Sequence, residues 1–347
     1  MNTGENGGMR ALLPLLICGL LGAASALPAQ VSIGNIRHEY QRLNNCGPVT
    51  VGMALSRWGG TMNQYDIAPK LKAGVGDVNV SPEELAAFAR GQGMTVHLAR
   101  GGTLPMLRRL LAAGFPVIAE TWFVTPDSGG MGHYRLLTGY DDAKGKFSVL
   151  DSYMGHLGFT YAEFDGLWRS FGRTFLVIVP ASRQAALDEA LGYHADARMA
   201  KRAALRVALV EAEKKDDAVA WLNVGQAKLS LGDSRGAARA FDAAFAARPD
   251  PMLDPIRPAR EEGGWPWRTL WYVFGPLEAY TRTARYTDVM RLTTAVLRDV
   301  PAHEEIFYWR GRALTGLGRV AEAQAAYREA LRLRPGFAAA QAALAGL

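Results

Sequence analysis

The second half of this chain carries a pattern that comes back at a fixed distance. Trp221, Gly225, Gly232, Ala237, Phe241, Ala244 and Pro249 are answered by Phe307, Gly311, Gly318, Ala323, Tyr327, Ala330 and Pro335, each 86 positions on. Such self-similarity demands a stack of like units, because one unit alone cannot bury its apolar face. The small residues let two helices approach closely, and the proline ends the second of them. Pro301 stands 34 residues before Pro335, and Val273, Leu277, Tyr280, Val289 and Val296 fit a degenerate unit between the two clear ones. The spacing leaves an insertion over Pro251 to Arg268, with Trp265-Pro266-Trp267 inside it. A weaker unit spans 184–217, with Ala203, Val207 and Val210 at matching positions.

The unit resembles the tetratricopeptide repeat. That resemblance implies an all-α solenoid over 184–347, with its clearest repeats at 218–251 and 304–337 and a degenerate one at about 270–303. A concave groove of stacked helix pairs suits a protein partner or an extended peptide. Trp221, Trp265, Trp267 and Trp271 either line that groove or pack between repeats.

Residues 31–180 read differently. Helical signals come first, at Pro48 to Trp58, Ser81 to Gln92 and Thr103 to Ala113; Ser81-Pro82-Glu83-Glu84 starts the second with a capping serine, proline at the first helical position and early acids. Strand signals follow at Thr95 to Ala99, Pro116 to Val124, Tyr134 to Tyr140, Lys146 to Leu150 and Thr174 to Val179. Helices before strands, without regular alternation, predict an α+β domain.

Arg10, the apolar run Ala11 to Gly22 and the small residues Ala24-Ser25-Ala26 predict a signal peptide over 1–26, hence export to a periplasmic or extracellular location. The run is too short to span a bilayer, so no membrane span is expected in the mature chain. Ile17 is too bulky for lipidation at Cys18. Net charge of +6 comes from arginines scattered among acids, without a basic run, so nucleic acid is not indicated.

Cleavage of the leader leaves Cys46 as a lone cysteine in a disulfide-permissive compartment. It sits in Gln41-Arg42-Leu43-Asn44-Asn45-Cys46-Gly47-Pro48, a polar turn ahead of an apolar helix. Partial positive charge and free N–H groups at a helix start stabilise a thiolate, and the Gln41 amide offers a donor for an oxyanion. A lone cysteine is otherwise a small hydrophobe. The nucleophile needs a histidine to take its proton and a third group to orient the ring. Of His97, His133, His156, His194 and His303, His133 has the best setting: it follows the glycine-rich stretch Thr125 to Gly132 and begins the strand Tyr134 to Tyr140. The next strand ends at Asp151, and a hairpin through Asp141 to Gly145 brings Asp151 back beside His133. Alone, His133 is a strand-end histidine and Asp151 a turn former; the argument rests on the set.

Together with Leu111 to Ile118, Gly132 to Asp141 and Phe147 to Asp151, the Gln41 to Pro48 segment resembles the papain-like bacteriocin-processing (double-glycine leader) peptidases, in a stand-alone form. The leader-processing members are fused to ATP-driven exporters, whereas this chain has no phosphate-binding Gly-Lys-Ser/Thr loop. The resemblance covers about 31–180 and implies Cys46 as nucleophile, His133 as general base, Asp151 as orienting acid and Gln41 as oxyanion donor. Gln41 stands one residue closer to the cysteine than is common in related enzymes, which leaves Asn44 or Asn45 to share its role. The expected function is an exported cysteine peptidase acting on a peptide or protein substrate. Its alternatives are a peptide-binding module that does not cut, or a cysteine amidase or acyltransferase acting on cell-envelope peptides. No cofactor is expected, and no metal, since no His/Cys cluster has ligand spacing.

Overall fold

The computed structural model describes Met1 and residues 26–74, 76–125, 129–247 and 268–347. The leader, most of the expected insertion, and Trp265 and Trp267 lie outside the described residues.

The chain is an α+β domain with an antiparallel sheet followed by helical repeats. The first part runs β1 (Gln30–Ser32), α1 (Cys46–Ser56), α2 (Gln64–Leu71), α3 (Pro82–Gly91), β2 (Thr95–Ala99), α4 (Leu104–Ala112), β3 (Val117–Thr125), β4 (Gly129–Asp141), β5 (Lys146–Asp151), β6 (Gly155–Thr160), α5 (Tyr161–Trp168) and β7 (Phe175–Val179). The strands form one sheet in the order β2-β7-β3-β4-β5-β6. β1 adds to β4 at Gly139 to Asp141, beyond the stretch that β3 occupies. Gly139 permits this approach, because a Cβ there would lie 2.2 Å from the Val31 carbonyl oxygen.

Alternation along the strands divides two cores between the faces of the sheet. Ile118, Tyr134, Leu136 and Ile178 pack with α1 and α3, while Val117, Leu137, Val149 and Val177 pack with α4 and α5. α3 begins as its sequence requires, with the Ser81 hydroxyl accepting from the Glu84 N–H and the Glu84 carboxylate accepting from the Ser81 N–H. The sequence pattern does not mark β1, α2, β6 and α5, which are short, and it predicts β4 only from Tyr134. His133 stands inside β4, not at its start, because the glycine-rich stretch from Gly129 is itself paired to β3.

Helices then follow, without strands among the described residues: α6 (Gln184–Leu191), α7 (Ala197–Lys215), α8 (Ala218–Ser230), α9 (Ser234–Ala246), α10 (Gly275–Arg282), α11 (Tyr286–Asp299), α12 (Glu304–Gly316), α13 (Val320–Leu333) and α14 (Ala338–Ala345). The repeated glycine and aromatic explain each other. A Cβ at Gly225 would sit 2.4 Å from the Phe241 ring, and one at Gly311 would sit 2.5 Å from the Tyr327 ring, so each pair of helices closes only over glycine. Trp271 is buried in the core between repeats, and Trp221 packs at its margin with its indole N–H donated to Asp216.

The repeats fold back onto the first domain. Arg169, almost wholly buried, bonds Glu211 and, at 2.7 and 3.0 Å, both oxygens of Asp217; Asn223 Nδ2 donates to the Arg169 carbonyl at 2.8 Å. Trp122 and Phe171 of the first domain share a core with Leu222, Trp271 and Leu277 of the repeats.

Candidate active site

Cys46 is the first residue of α1, and the turn ahead of it is clamped from α2. Gln64 Oε1 accepts from the Arg42 N–H at 2.7 Å and from Asn45 Nδ2 at 3.0 Å, while Gln64 Nε2 reaches Glu39 and the Tyr40 carbonyl. Lys72 Nζ donates to Asn45 Oδ1 at 3.1 Å. Asn45 is therefore committed to the scaffold and does not line the cavity at Cys46, whereas Asn44 does.

That cavity is small, about 40 Å³, and Gln41, Asn44, Cys46, Glu120, His133 and Tyr272 are among the residues around it. Cys46 and His133 line it together, and each shifts the ionisation of the other. His133 Nε2 lies 3.1 Å from Asp151 Oδ1, which leaves Nδ1 as the nitrogen for the thiol. The same Asp151 oxygen accepts from the Tyr153 and Met154 backbone N–H groups at 2.8 and 2.9 Å, and Oδ2 accepts from Arg135 Nε at 2.9 Å. Asp151 faces Arg135 across the β4–β5 ladder, two residues along from His133, so one hairpin sets all three. Gln41 arrives from another direction: its N–H donates to the Ser152 carbonyl at 2.8 Å and its Oε1 accepts from Ser152 Oγ at 2.7 Å. With Oε1 engaged, the amide NH₂ is the end of Gln41 left for the cavity.

The electrostatics fit an ion pair. Burial alone would raise the Cys46 thiol, but His133 together with the Tyr134 and Gly47 backbone outweighs it and holds the thiol below its ordinary value. Burial alone would lower His133, but its bonds to Asp151 and Cys46 raise it. Burial would raise Asp151, yet His133, Arg135 and the backbone donors bring it well below the usual carboxylate range. A lowered thiol beside a raised imidazole favours thiolate and imidazolium together, the state in which a cysteine attacks a carbonyl carbon.

Four of these residues were not singled out in the sequence. Arg135 shares the period-two face of β4 with His133, and a buried arginine in an apolar strand is a legible signal. Ser152 follows Asp151, and nothing in the local pattern marks it. Glu120, on β3, is buried near Cys46 and pushed up to about 8, chiefly by that burial. Tyr272 comes from the repeats, and no local signal marks it; a side chain at Gly132, next to His133, would meet its ring at 3.0 Å. A further cluster departs from the expectation of no ligand grouping. His303, Glu304 and Glu305 bring donor atoms within 4.8 Å of one another at the buried start of α12. His303 Nδ1 lies 3.1 Å from Glu305 there, an ion-pair distance for a protonated imidazole, and His303 Nε2 lies 3.0 Å from the Trp271 carbonyl oxygen.

A papain-like α+β domain with a cysteine and a histidine on one cavity and a carboxylate bonded to the histidine, joined to helical repeats, is the class that fold and site define. Residues 33–175 match the Peptidase_C39 like family, and residues 304–337 match the tetratricopeptide repeat. Residues 33–175 thus form a domain similar to the C39-like peptidases, and the helical repeats of the second half include one that matches the tetratricopeptide repeat. Among solved structures, one described as a C39-like peptidase from Bacillus anthracis is similar at 17% identity and a TM-score of 0.36, over 43% of this chain and 97% of that one. A double-glycine motif protease from an AMS/PCAT transporter, solved with its leader peptide, is similar at 18% identity and 0.33, over 43% and 95%. MamA from Desulfovibrio magneticus RS-1 is similar at 21% and 0.31, over 44% and 76%. No curated protein matches the chain.

Proposed function

We propose that this protein is an exported cysteine peptidase that cleaves peptide bonds through Cys46, His133 and Asp151, with the repeat domain binding substrate or a protein partner. The observation that carries the reading is His133 on the same cavity as the Cys46 thiol, with its ring bonded to the Asp151 carboxylate at 3.1 Å. In this mechanism Cys46 attacks the scissile carbonyl carbon, and the Gln41 amide and the N–H groups at the start of α1 receive the oxyanion. His133 then hands its proton to the leaving amine, an acyl-thioester forms, and His133 takes a proton from water so that hydroxide displaces the thiol. Asp151 holds the ring so that Nδ1 serves the sulfur. Export rests on Arg10, the apolar run and Ala24-Ser25-Ala26; among the described residues no helix is long and apolar enough to cross a membrane.

One observation favours a second reading, a peptide-binding module: the cavity at Cys46 is narrow and Tyr272 of the repeats lies against it. Incubating the protein and its Cys46→Ala variant with a peptide library separates the two. Cys46-dependent products and an acyl-enzyme adduct in mass spectra are expected. Binding without either would leave the second reading standing.

A further inference from the structure

Between the two domains lies a second cavity, of about 330 Å³, that shares Glu120 and Tyr272 with the cavity at Cys46. On its other side it shares Glu83, Arg100, Asn223 and Gln226 with a third, of about 380 Å³, that runs between β2 and α7. The three cavities follow one another from the edge of the sheet to the thiol, and the repeat helices form one wall of the approach.

Of the three carboxylates that line the middle cavity, two are paired. Glu83 pairs with Arg100 at 3.4 Å and Glu278 pairs with Arg282 at 2.7 Å. Glu120 is 5% exposed and makes no hydrogen bond or ion pair among the described residues. Ser170 and Asn223, each 5% exposed and both lining this cavity, leave Ser170 Oγ and Asn223 Oδ1 without partners. The Asn223 amide is not free to turn, because its Nδ2 is held by the Arg169 carbonyl at 2.8 Å. Neither form of Glu120 is satisfied as it stands: ionised it has no hydrogen-bonded cation, Arg100 being bonded to Glu83 and acting on it only through space, and protonated its O–H lacks an acceptor. A carboxyl and two further oxygens, supplied by both domains and short of the same thing, match a ligand that brings positive charge and several N–H donors.

We propose that this cavity is a subsite for the basic side chain, lysine or arginine, of a peptide whose scissile bond lies at Cys46. Glu120 is the counter-ion, and Ser170 and Asn223 are the additional acceptors. The inference rests on the peptidase reading for the position of the scissile bond and on the cavity alone for the charge of the ligand. It gives the repeat domain a share in specificity, since Asn223 belongs to α8.

The test uses the full-length Cys46→Ala protein and a positional-scanning set of acetylated, amidated hexapeptides carrying lysine, arginine or norleucine in a glycine-alanine background. Binding to the basic peptides at one position should be at least 10-fold tighter than to the norleucine peptide. Adding Glu120→Gln should bring that ratio to within twofold of one, with thermal unfolding at pH 5 unchanged as the check on folding. Asn223→Leu should lower the ratio while leaving a preference. Equal affinity for basic and norleucine peptides, no binding of any peptide, or a preference that survives Glu120→Gln would overturn the proposal. Cleavage by the wild-type protein is scored separately: basic-selective binding without turnover would keep the subsite and remove the peptidase reading.

Discussion

Asp151→Asn separates orientation of His133 from support of the fold. The carboxylate receives four donors: His133 Nε2, two backbone N–H groups and Arg135 Nε. In the amide, one end still accepts from the backbone pair and the ring, but the other presents N–H to a guanidinium whose side chain is only 3% exposed. Leaving that buried cation unpaired costs about 3–5 kcal/mol of stability, and an imidazolium without its carboxylate costs about 10²- to 10⁴-fold in turnover. The two effects part in a double variant. Arg135→Met keeps apolar bulk against Phe123 and Phe159 and removes the unpaired charge, so Asp151→Asn/Arg135→Met should regain most of the stability in urea unfolding and none of the turnover. Turnover is read as kcat/KM on a cleaved peptide, or without a substrate as the rate of Cys46 alkylation at pH 6. Wild-type rates in Asp151→Asn, or recovery of rate along with stability in the double variant, would show that Asp151 supports the fold and does not act through His133.

Three further outcomes are expected. An unperturbed thiol, with its value of 9.0, is ionised to only about one part in a thousand at pH 6, so rapid iodoacetamide labelling of Cys46 there, slowed in His133→Ala, would report the ion pair; labelling that begins only above pH 8 would refute it. Gln41→Ala should lower kcat about 10²- to 10³-fold with little change in KM, and Ser152→Ala should act in the same direction by a smaller factor because it frees the Gln41 amide to turn; unchanged kcat in both would remove the oxyanion role. Glu120 is raised from 4.5 to about 8 in the folded protein, so its share of stability is full below about 4.5 and is lost as pH rises toward 8, up to roughly 5 kcal/mol. Glu120→Gln should therefore narrow the loss of Tm between pH 5 and pH 8, and an unchanged or steeper loss would contradict the burial argument.

Local chemistry made much of this protein legible in one dimension. A helix begins at Cys46 because a polar turn with Gly47-Pro48 precedes an apolar run, and one hairpin joins Asp151 to His133 because strand period and turn length dictate which residues face each other. The glycine and aromatic of each repeat were visible because stacking needs them at a fixed spacing. Other features depend on residues far apart in the chain. Arg135 reads as one more strand residue until Asp151 is opposite it, and the turn before Cys46 gives no hint that Gln64 of α2 clamps it. Tyr272 and Asn223 are an aromatic and an amide in helical repeats until docking of the two domains sets them beside Cys46 and Glu120. Sequence alone determined the two kinds of domain and the catalytic candidates, because those follow from short-range pattern. Only the tertiary structure decided what surrounds the thiol, because that depends on how two separately patterned halves bury their faces against each other.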